Sequence, residues 1–149
     1  MVFRQYFAVP AMALAFAALS LTVESAQAQK KETFKAWLSA TPADARTRAS
    51  LAGSGTASAV LEGSKLEITG SFKGLLAPAT KASLHSAVAA GVRGPAVTDL
   101  TISKGMDGTI TGSITLTPEQ IENLHKGGLY IIIDSDKAPD GVLWGWLTR

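Results

Sequence analysis

The chain has 149 residues, a formal net charge of +2 and no cysteine. Its basic residues are spread along the chain without a basic block, so charge gives no argument for nucleic-acid binding. The absence of cysteine excludes disulfides, thiolate metal sites and cysteine nucleophiles. Stability must therefore come from side-chain packing and from a hydrogen-bonded backbone.

Residues 1–28 have the pattern of an export signal. Arg4 gives a positive start, residues 7–23 form an almost uninterrupted apolar run, and Ala26-Gln27-Ala28 follows as a small-residue cleavage motif. This pattern predicts a secretory signal peptide and a periplasmic or secreted protein without a membrane span after cleavage. A retained anchor is the alternative, because the run is nearly long enough to span a bilayer. Residues 29–149 then form one domain.

Alternation of apolar with polar residues dominates residues 29–149. It occurs in residues 34–38, 66–72 and 110–116, where Ser and Thr fill much of the second face. This alternation is typical of antiparallel strands with one solvated side. Short strands punctuated by Gly and Pro predict an all-β sandwich or barrel. Residues 40–54 are small and polar and predict a loop.

The segment TPEQIENLHKGG predicts one short helix. Thr117 is placed to cap the first turn, Pro118 occupies the first helical position, and Gln120 completes a capping box. The glycine pair at 127–128 supplies the left-handed residue that ends the helix. A helix this short predicts a crossover between two strands.

The last two strands, LYIIIDS and GVLWGWLT, are predicted to pair as a hairpin. Pro139-Asp140-Gly141 supplies turn chemistry between them. Alternate residues of a strand share a face, so pairing joins two outer faces into one surface. The residues predicted on that surface are Tyr130, Ile132, Asp134, Val142, Trp144 and Trp146.

Four stretches together carry a family resemblance: GSGTASAVLEGSKLEITGSFKGLLAPATKASLH, GVRGPAVTDL, GTITGSITLTPEQIENLHKGGLYIII and PDGVLWGWL. In this order they resemble the CHRD domain family, named for chordin, over nearly all of residues 29–149. The resemblance implies a Greek-key, immunoglobulin-like or superoxide-dismutase-like β-sandwich, here with one short crossover helix. Bacterial members of the family are mostly exported, and the family's function is poorly defined.

The chain departs from the family at its polar positions. Typical members have Ala-His-Ile-His where this chain has Ala-Ser-Leu-His, so Ser83 replaces the first histidine and His85 keeps the second. Typical members also have Tyr-Val-Asn-Val-His-Thr, and here Asp134 replaces that histidine. The usual Gly-Glu-Ile-Arg-Gly-Gln-Leu ending has become Gly-Val-Leu-Trp-Gly-Trp-Leu. A polar or metal-bearing surface is thereby predicted to have become apolar.

Metal and enzyme functions find little support in the sequence. Three histidines from two strands could hold copper or zinc, but His85 with Asp134 offers too few ligands for a tight site. We therefore expect no cofactor, with His85 and Asp134 as weak metal candidates. No nucleophile occupies a sharp turn motif, and Gly53-Ser54-Gly55 is more typical of a flexible loop, so we expect no catalysis.

The predicted apolar surface indicates a binding function. Tryptophan is enriched at binding hot spots, and a contiguous apolar patch usually marks a partner site. We expect a protein partner or a second copy to bind at Tyr130, Ile132, Val142, Trp144 and Trp146. Three alternatives stay open. The face could be covered by the other sheet, the helix or residues 40–54; it could take an apolar small ligand; or the protein could handle metal through His85 and Asp134.

Overall fold

The computed structural model describes residues 29–149, so the predicted signal peptide at 1–28 lies outside the described residues. The described chain contains eight strands, an α helix and a short 3-10 helix. The strands are β1 (Lys31–Ala40), β2 (Ser54–Glu62), β3 (Lys65–Lys73), β4 (Ala79–Ser86), β5 (Ala96–Ile102), β6 (Gly108–Thr115), β7 (Leu129–Ser135) and β8 (Ala138–Trp146). The α helix α1 (Pro118–His125) joins β6 to β7, and the 3-10 helix (Arg48–Ser50) lies in the β1–β2 connection.

The strands form a closed antiparallel barrel in the order β1-β2-β3-β6-β5-β4-β7-β8. Strand β3 lies beside β6, and β7 lies beside β4, so each long connection passes over a neighbouring pair of strands. This is Greek-key connectivity. The predicted all-β class and the crossover position of the single α helix in the described chain are therefore confirmed.

Two strands close the barrel by pairing on both sides. Residues 31–38 of β1 pair with β2, whereas Ser39 and Ala40 pair with β8. Likewise β5 pairs with β4 up to Leu100, and then Thr101 and Ile102 pair with β6. Strands that switch sheets in this way form corners. The prediction of a two-sheet sandwich is therefore corrected to a barrel, because β1 and β5 leave no gap between the sheets.

Inward-facing residues of all eight strands fill the barrel. The alternation of β1 places Phe34, Ala36 and Leu38 in the core, as its sequence pattern predicts. Every buried side-chain nitrogen or oxygen in the described residues has a hydrogen-bond partner. No helix within residues 29–149 has the length and apolarity needed to cross a membrane.

Helix α1 forms as its sequence predicts. The amide of Gln120 donates to the Thr117 hydroxyl at 3.2 Å, and the Gln120 side chain accepts from the Thr117 amide at 3.0 Å. Gly127 has φ +75°, which ends the helix in the left-handed conformation. Leu124 packs into the barrel core, so one end of the barrel is closed by this crossover.

Strands β7 and β8 pair as the predicted hairpin, but their turn lies elsewhere. The chain reverses at residues 136–137, and Pro139-Asp140-Gly141 lies inside β8. There the register jumps from Ser135–Ala138 to Ile133–Leu143, so four residues of β8 bulge opposite one residue of β7. Gly141 has φ +114°, a conformation that a residue with a Cβ adopts poorly.

This bulge moves Val142 from the predicted outer face into the barrel core. Val142 and Leu143 are both fully buried there, which strict alternation forbids and a bulge allows. Thr41 holds the bulge, because its hydroxyl donates to the Gly141 carbonyl at 2.9 Å and its amide donates to the Val142 carbonyl at 3.1 Å. The prediction that Val142 lies on the outer surface is therefore wrong.

Candidate functional site

Four of the predicted surface residues meet on the outer face of the β7–β8 hairpin. Tyr130 lies opposite Trp146, and Ile132 lies opposite Trp144. Together with Ala87 they form a small apolar cluster that is separate from the barrel core. We call Tyr130, Ile132, Trp144 and Trp146 the hairpin surface. Tyr130 is 1% exposed and Ile132 is 4% exposed, whereas both tryptophans are half-buried.

The aromatic side chains of the hairpin surface pack against one another. The ring centroids of Tyr130 and Trp146 are 4.3 Å apart, with an interplanar angle of 36°. Trp144 packs edge-on against Tyr130 at 6.1 Å and against Trp146 at 5.9 Å. Edge-to-face aromatic contacts of this kind add about 0.5–1.5 kcal/mol each beyond area burial. The two indoles are therefore held in place from below by the buried phenol ring.

The connection between β4 and β5, residues 87–95, covers part of this surface, and we call it the covering segment. The Gly94 amide donates to the Tyr130 hydroxyl at 3.0 Å. Arg93 donates to the Asp140 carbonyl at 2.7 Å, and its guanidinium lies 5.9 Å from the centre of the Trp144 ring. The sequence did not predict this role for the covering segment. The elements it offered as possible covers of this face were the second sheet, the helix and residues 40–54.

His85 links strand β4 to the covering segment. Its Nδ1 lies 2.8 Å from the Gly94 carbonyl, and its Nε2 lies 2.9 Å from the Ser83 hydroxyl. A carbonyl only accepts, so Nδ1 carries a proton, and in the neutral ring Nε2 accepts from Ser83. The imidazole also packs on Tyr130 with centroids 5.1 Å apart. Both ring nitrogens are therefore engaged within the protein.

Asp134 lies in a groove of about 190 Å³ beside His85. The charged and polar groups that line this groove are Lys81, Ser83, His85, Arg93, Asp134 and Asp140. Burial raises the pKa of Asp134 above its ordinary value, and the positive charge of Lys81 offsets only part of that rise. The charged form of Asp134 is therefore disfavoured in this groove.

The groove does not have the composition of a metal site. Within residues 29–149 no three His, Asp or Glu side chains are placed to hold one ion. Binding at His85 would break its hydrogen bond to Ser83 or to Gly94. Lys81 and Arg93 also line the groove, and their charges oppose a cation. The weak metal candidates His85 and Asp134 thus line one groove, but its other residues do not favour a bound cation.

A third tryptophan, which the sequence interpretation missed, is far more exposed than the other two. Trp37 on β1 is 79% exposed. Strand β1 meets β8 with Ser39 opposite Trp144 and with Lys35 bridged to Thr148. This register puts Trp37 level with Trp146 on the neighbouring strand. The signal was available in the sequence, because Trp37 falls on the outward phase of the Phe34, Ala36 and Leu38 alternation.

Comparison with known protein families gives a match for this chain. The model of the CHRD domain matches residues 19–147. The chain belongs to the CHRD domain family. Comparisons with the curated proteins and with the solved structures give no match.

The fold brings together several residues of this CHRD domain at which the sequence was compared with typical members. Ser83, His85 and Asp134, which the family resemblance matched to histidines of typical members, all line the same groove on the outer face of β4 and β7. Trp144 and Trp146 lie on the neighbouring strand β8. These residues therefore share one outer face, whereas Val142, which also departs from the family pattern in the resemblance, lies in the core.

Proposed function

We propose that this CHRD domain is an exported, non-enzymatic binding module that docks a protein partner, or a second copy, through Trp144 and Trp146. The observation that carries the proposal is the pair of half-exposed indoles held against buried Tyr130. The signal-like sequence of residues 1–28 supports export to the periplasm or the cell exterior.

Preorganisation favours the two indoles as binding anchors. A partner that covers a mobile side chain must order it, at about 0.5–1.5 kcal/mol for each side chain. Here Trp144 and Trp146 pack on each other and on Tyr130, so little of that cost remains. Tyr130 and Ile132 act as the support beneath the contact. Binding hot spots of this kind are enriched in Trp and Tyr.

The geometry around Ser83 supports a non-enzymatic role. Ser83 and His85 form a hydrogen-bonded pair that resembles an activated nucleophile. However, Ser83 is 2% exposed and lies in the middle of β4, between paired neighbours. The Ser83 hydroxyl is therefore nearly inaccessible to a substrate, although the residue lines the groove beside Asp134. The pair instead fixes the imidazole that holds Gly94.

The test replaces both indoles, in Trp144→Ser/Trp146→Ser, and compares the oligomeric state and partner capture of the exported protein. Size-exclusion chromatography with light scattering reports self-association, and cross-linking in the native compartment reports another protein. We expect the complex to weaken by about a hundredfold or more, because each lost anchor costs roughly 2 kcal/mol and about 1.4 kcal/mol corresponds to a factor of ten.

Val88→Ser is the control, because it also removes an exposed apolar side chain. Val88 is a residue of the covering segment and is 92% exposed. Circular dichroism establishes that each variant is folded. A folded double variant with unchanged association and unchanged cross-links would refute the proposal. A double variant that unfolds is replaced by Trp146→Tyr, which keeps the ring packing and reduces the exposed apolar area.

A further inference from the structure

The outer face of β1, β2 and β3 has a second unusual feature, centred on Trp37. Outward residues of these strands are mostly Ser and Thr, and Trp37 lies opposite Thr56, which lies opposite Ser71. Two shallow grooves of about 520 Å³ each meet at the indole. The hydroxyl-bearing residues that line them are Ser39, Ser54, Thr56, Ser58, Thr69 and Ser71.

The charge of this face is uncompensated at one end. Lys31 pairs with Glu62 at 3.4 Å, and Lys65 pairs with Glu67 at 2.8 Å, so the end remote from Trp37 is neutral. Lys35 and Lys73 line the grooves beside Trp37, where neither forms an ion pair with a carboxylate of residues 29–149. The grooves contain no acidic residue. Their charge is therefore complementary to an anionic ligand.

We propose that the Trp37 face binds an acidic polysaccharide that carries uronate carboxylates. A pyranose ring has a face of C–H groups that stacks on an indole and a rim of hydroxyls that exchanges hydrogen bonds with Ser and Thr. The carboxylates of the chain pair with Lys35 and Lys73. This proposal goes beyond the protein docking at the hairpin surface, because it uses the grooves of β1, β2 and β3 and a different class of ligand.

The spacing of the two lysines requires a chain rather than a single sugar. Lys35 precedes Trp37 by two residues on β1, while Lys73 lies two strands away on β3, on the far side of the indole. With strands about 4.8 Å apart and a rise of about 3.4 Å per residue, their Cα atoms are roughly 17 Å apart. A ligand that reaches both lysines must therefore extend past Trp37 in two directions.

The arrangement fits a glycan better than a protein or a single-stranded nucleic acid. A protein hot spot is normally surrounded by other groups that exclude water, whereas Trp37 is surrounded by hydroxyls. Single-stranded nucleic acid requires successive aromatic platforms along a basic groove, and Trp37 is the one exposed aromatic residue that lines these two grooves. A hydroxyl-rich surface with one stacking ring and two cations matches the mixed chemistry of an acidic sugar chain.

The test is affinity electrophoresis and isothermal titration of the exported protein with polygalacturonate, with neutral dextran and poly-glutamate as comparison polymers. We expect binding of polygalacturonate alone. Trp37→Ser should weaken it by about tenfold or more, since stacking is lost, and Trp37→Tyr should restore most of it. Lys35→Gln/Lys73→Gln should weaken it and should flatten its dependence on salt.

Two matched controls keep this result separate from the proposed docking function. Val88→Ser removes an exposed apolar side chain of the covering segment, and Lys104→Gln removes an exposed lysine of the β5–β6 loop. Both should leave polygalacturonate binding unchanged. Equal binding of poly-glutamate or dextran, preference for single-stranded DNA, absence of binding, or loss of a protein complex in Trp37→Ser would each overturn the proposal. None of these outcomes depends on whether Trp144 and Trp146 dock a protein.

Discussion

At the scale of a residue, Asp134 places a poorly solvated carboxyl group on the outer face of β7. It lies in a half-buried position where its charge is poorly solvated. Burial raises the pKa of Asp134, and Asp140 raises it further, whereas Lys81, His85 and Arg93 act in the opposite direction. The ionised form of Asp134 therefore lowers the stability of the fold.

The raised pKa of Asp134 predicts a specific pH dependence for Asp134→Asn. The folded state holds this proton more tightly than the unfolded chain, so ionisation removes stability as the pH rises from about the ordinary value of 3.8 through the folded pKa. The variant should therefore be more stable than the natural protein at neutral pH, and the difference should vanish below that window. Thermal unfolding at several pH values measures this. A variant that is less stable at neutral pH would contradict it.

At the scale of an element, helix α1 anchors the covering segment. The side-chain Nδ2 of Asn123 donates to the Ser86 hydroxyl at 2.7 Å and to the Ala87 carbonyl at 3.0 Å. These bonds join the crossover helix to the start of the segment that covers Tyr130. A helix that looks like a simple connection in the sequence therefore also supports the hairpin surface.

Asn123→Ala should loosen the covering segment. Losing a hydrogen bond to a partly buried group costs roughly 1–3 kcal/mol, so we expect faster hydrogen exchange in residues 87–95 and a lower midpoint of thermal unfolding. Hydrogen exchange with mass spectrometry measures the first effect. Glu122→Gln is the control on the same helix, because it breaks only an exposed pair with Lys126. Equal exchange in the two variants would show that Asn123 does not hold the segment.

At the scale of the whole molecule, the two ends of the described chain meet where the barrel closes. Lys35 and Thr148 exchange backbone hydrogen bonds at 2.7 Å and 2.9 Å. Glu32 on β1 accepts hydrogen bonds from His125 of α1, at 2.9 Å, and from the C-terminal residue Arg149. Burial alone would raise the pKa of Glu32, but these bonds outweigh it and lower the pKa.

Glu32→Gln should therefore have the opposite pH signature to Asp134→Asn. The stabilising contribution of Glu32 is fully present above its ordinary pKa of 4.5 and is lost as the pH falls through its lower folded pKa. We expect the variant to unfold at a lower temperature than the natural protein near neutral pH and at the same temperature in strong acid. A difference that persists unchanged into acid would indicate lost packing rather than lost ionisation.

Local chemistry accounts for the parts of this protein that are readable in its sequence. Strand alternation follows from which side chains must leave water, and the capping box of Thr117 and Gln120 acts within one helical turn. The hairpin follows because neighbouring strands commonly pair. The family resemblance rests on the same glycine and apolar skeleton. All of these depend on residues close together in the chain or on the pattern of one strand.

Long-range contacts account for the features that the sequence did not predict. Val142 is turned inward by a bulge that Thr41 holds from a position 100 residues earlier. Tyr130 is covered by Gly94, 36 residues away, so the predicted apolar surface shrinks to two indoles. Strands β1 and β5 each pair with one sheet along most of their length and with the other sheet at their end, and this turns the expected sandwich into a barrel. No local pattern encodes such pairings, because their free energy comes from groups that meet only when the barrel closes.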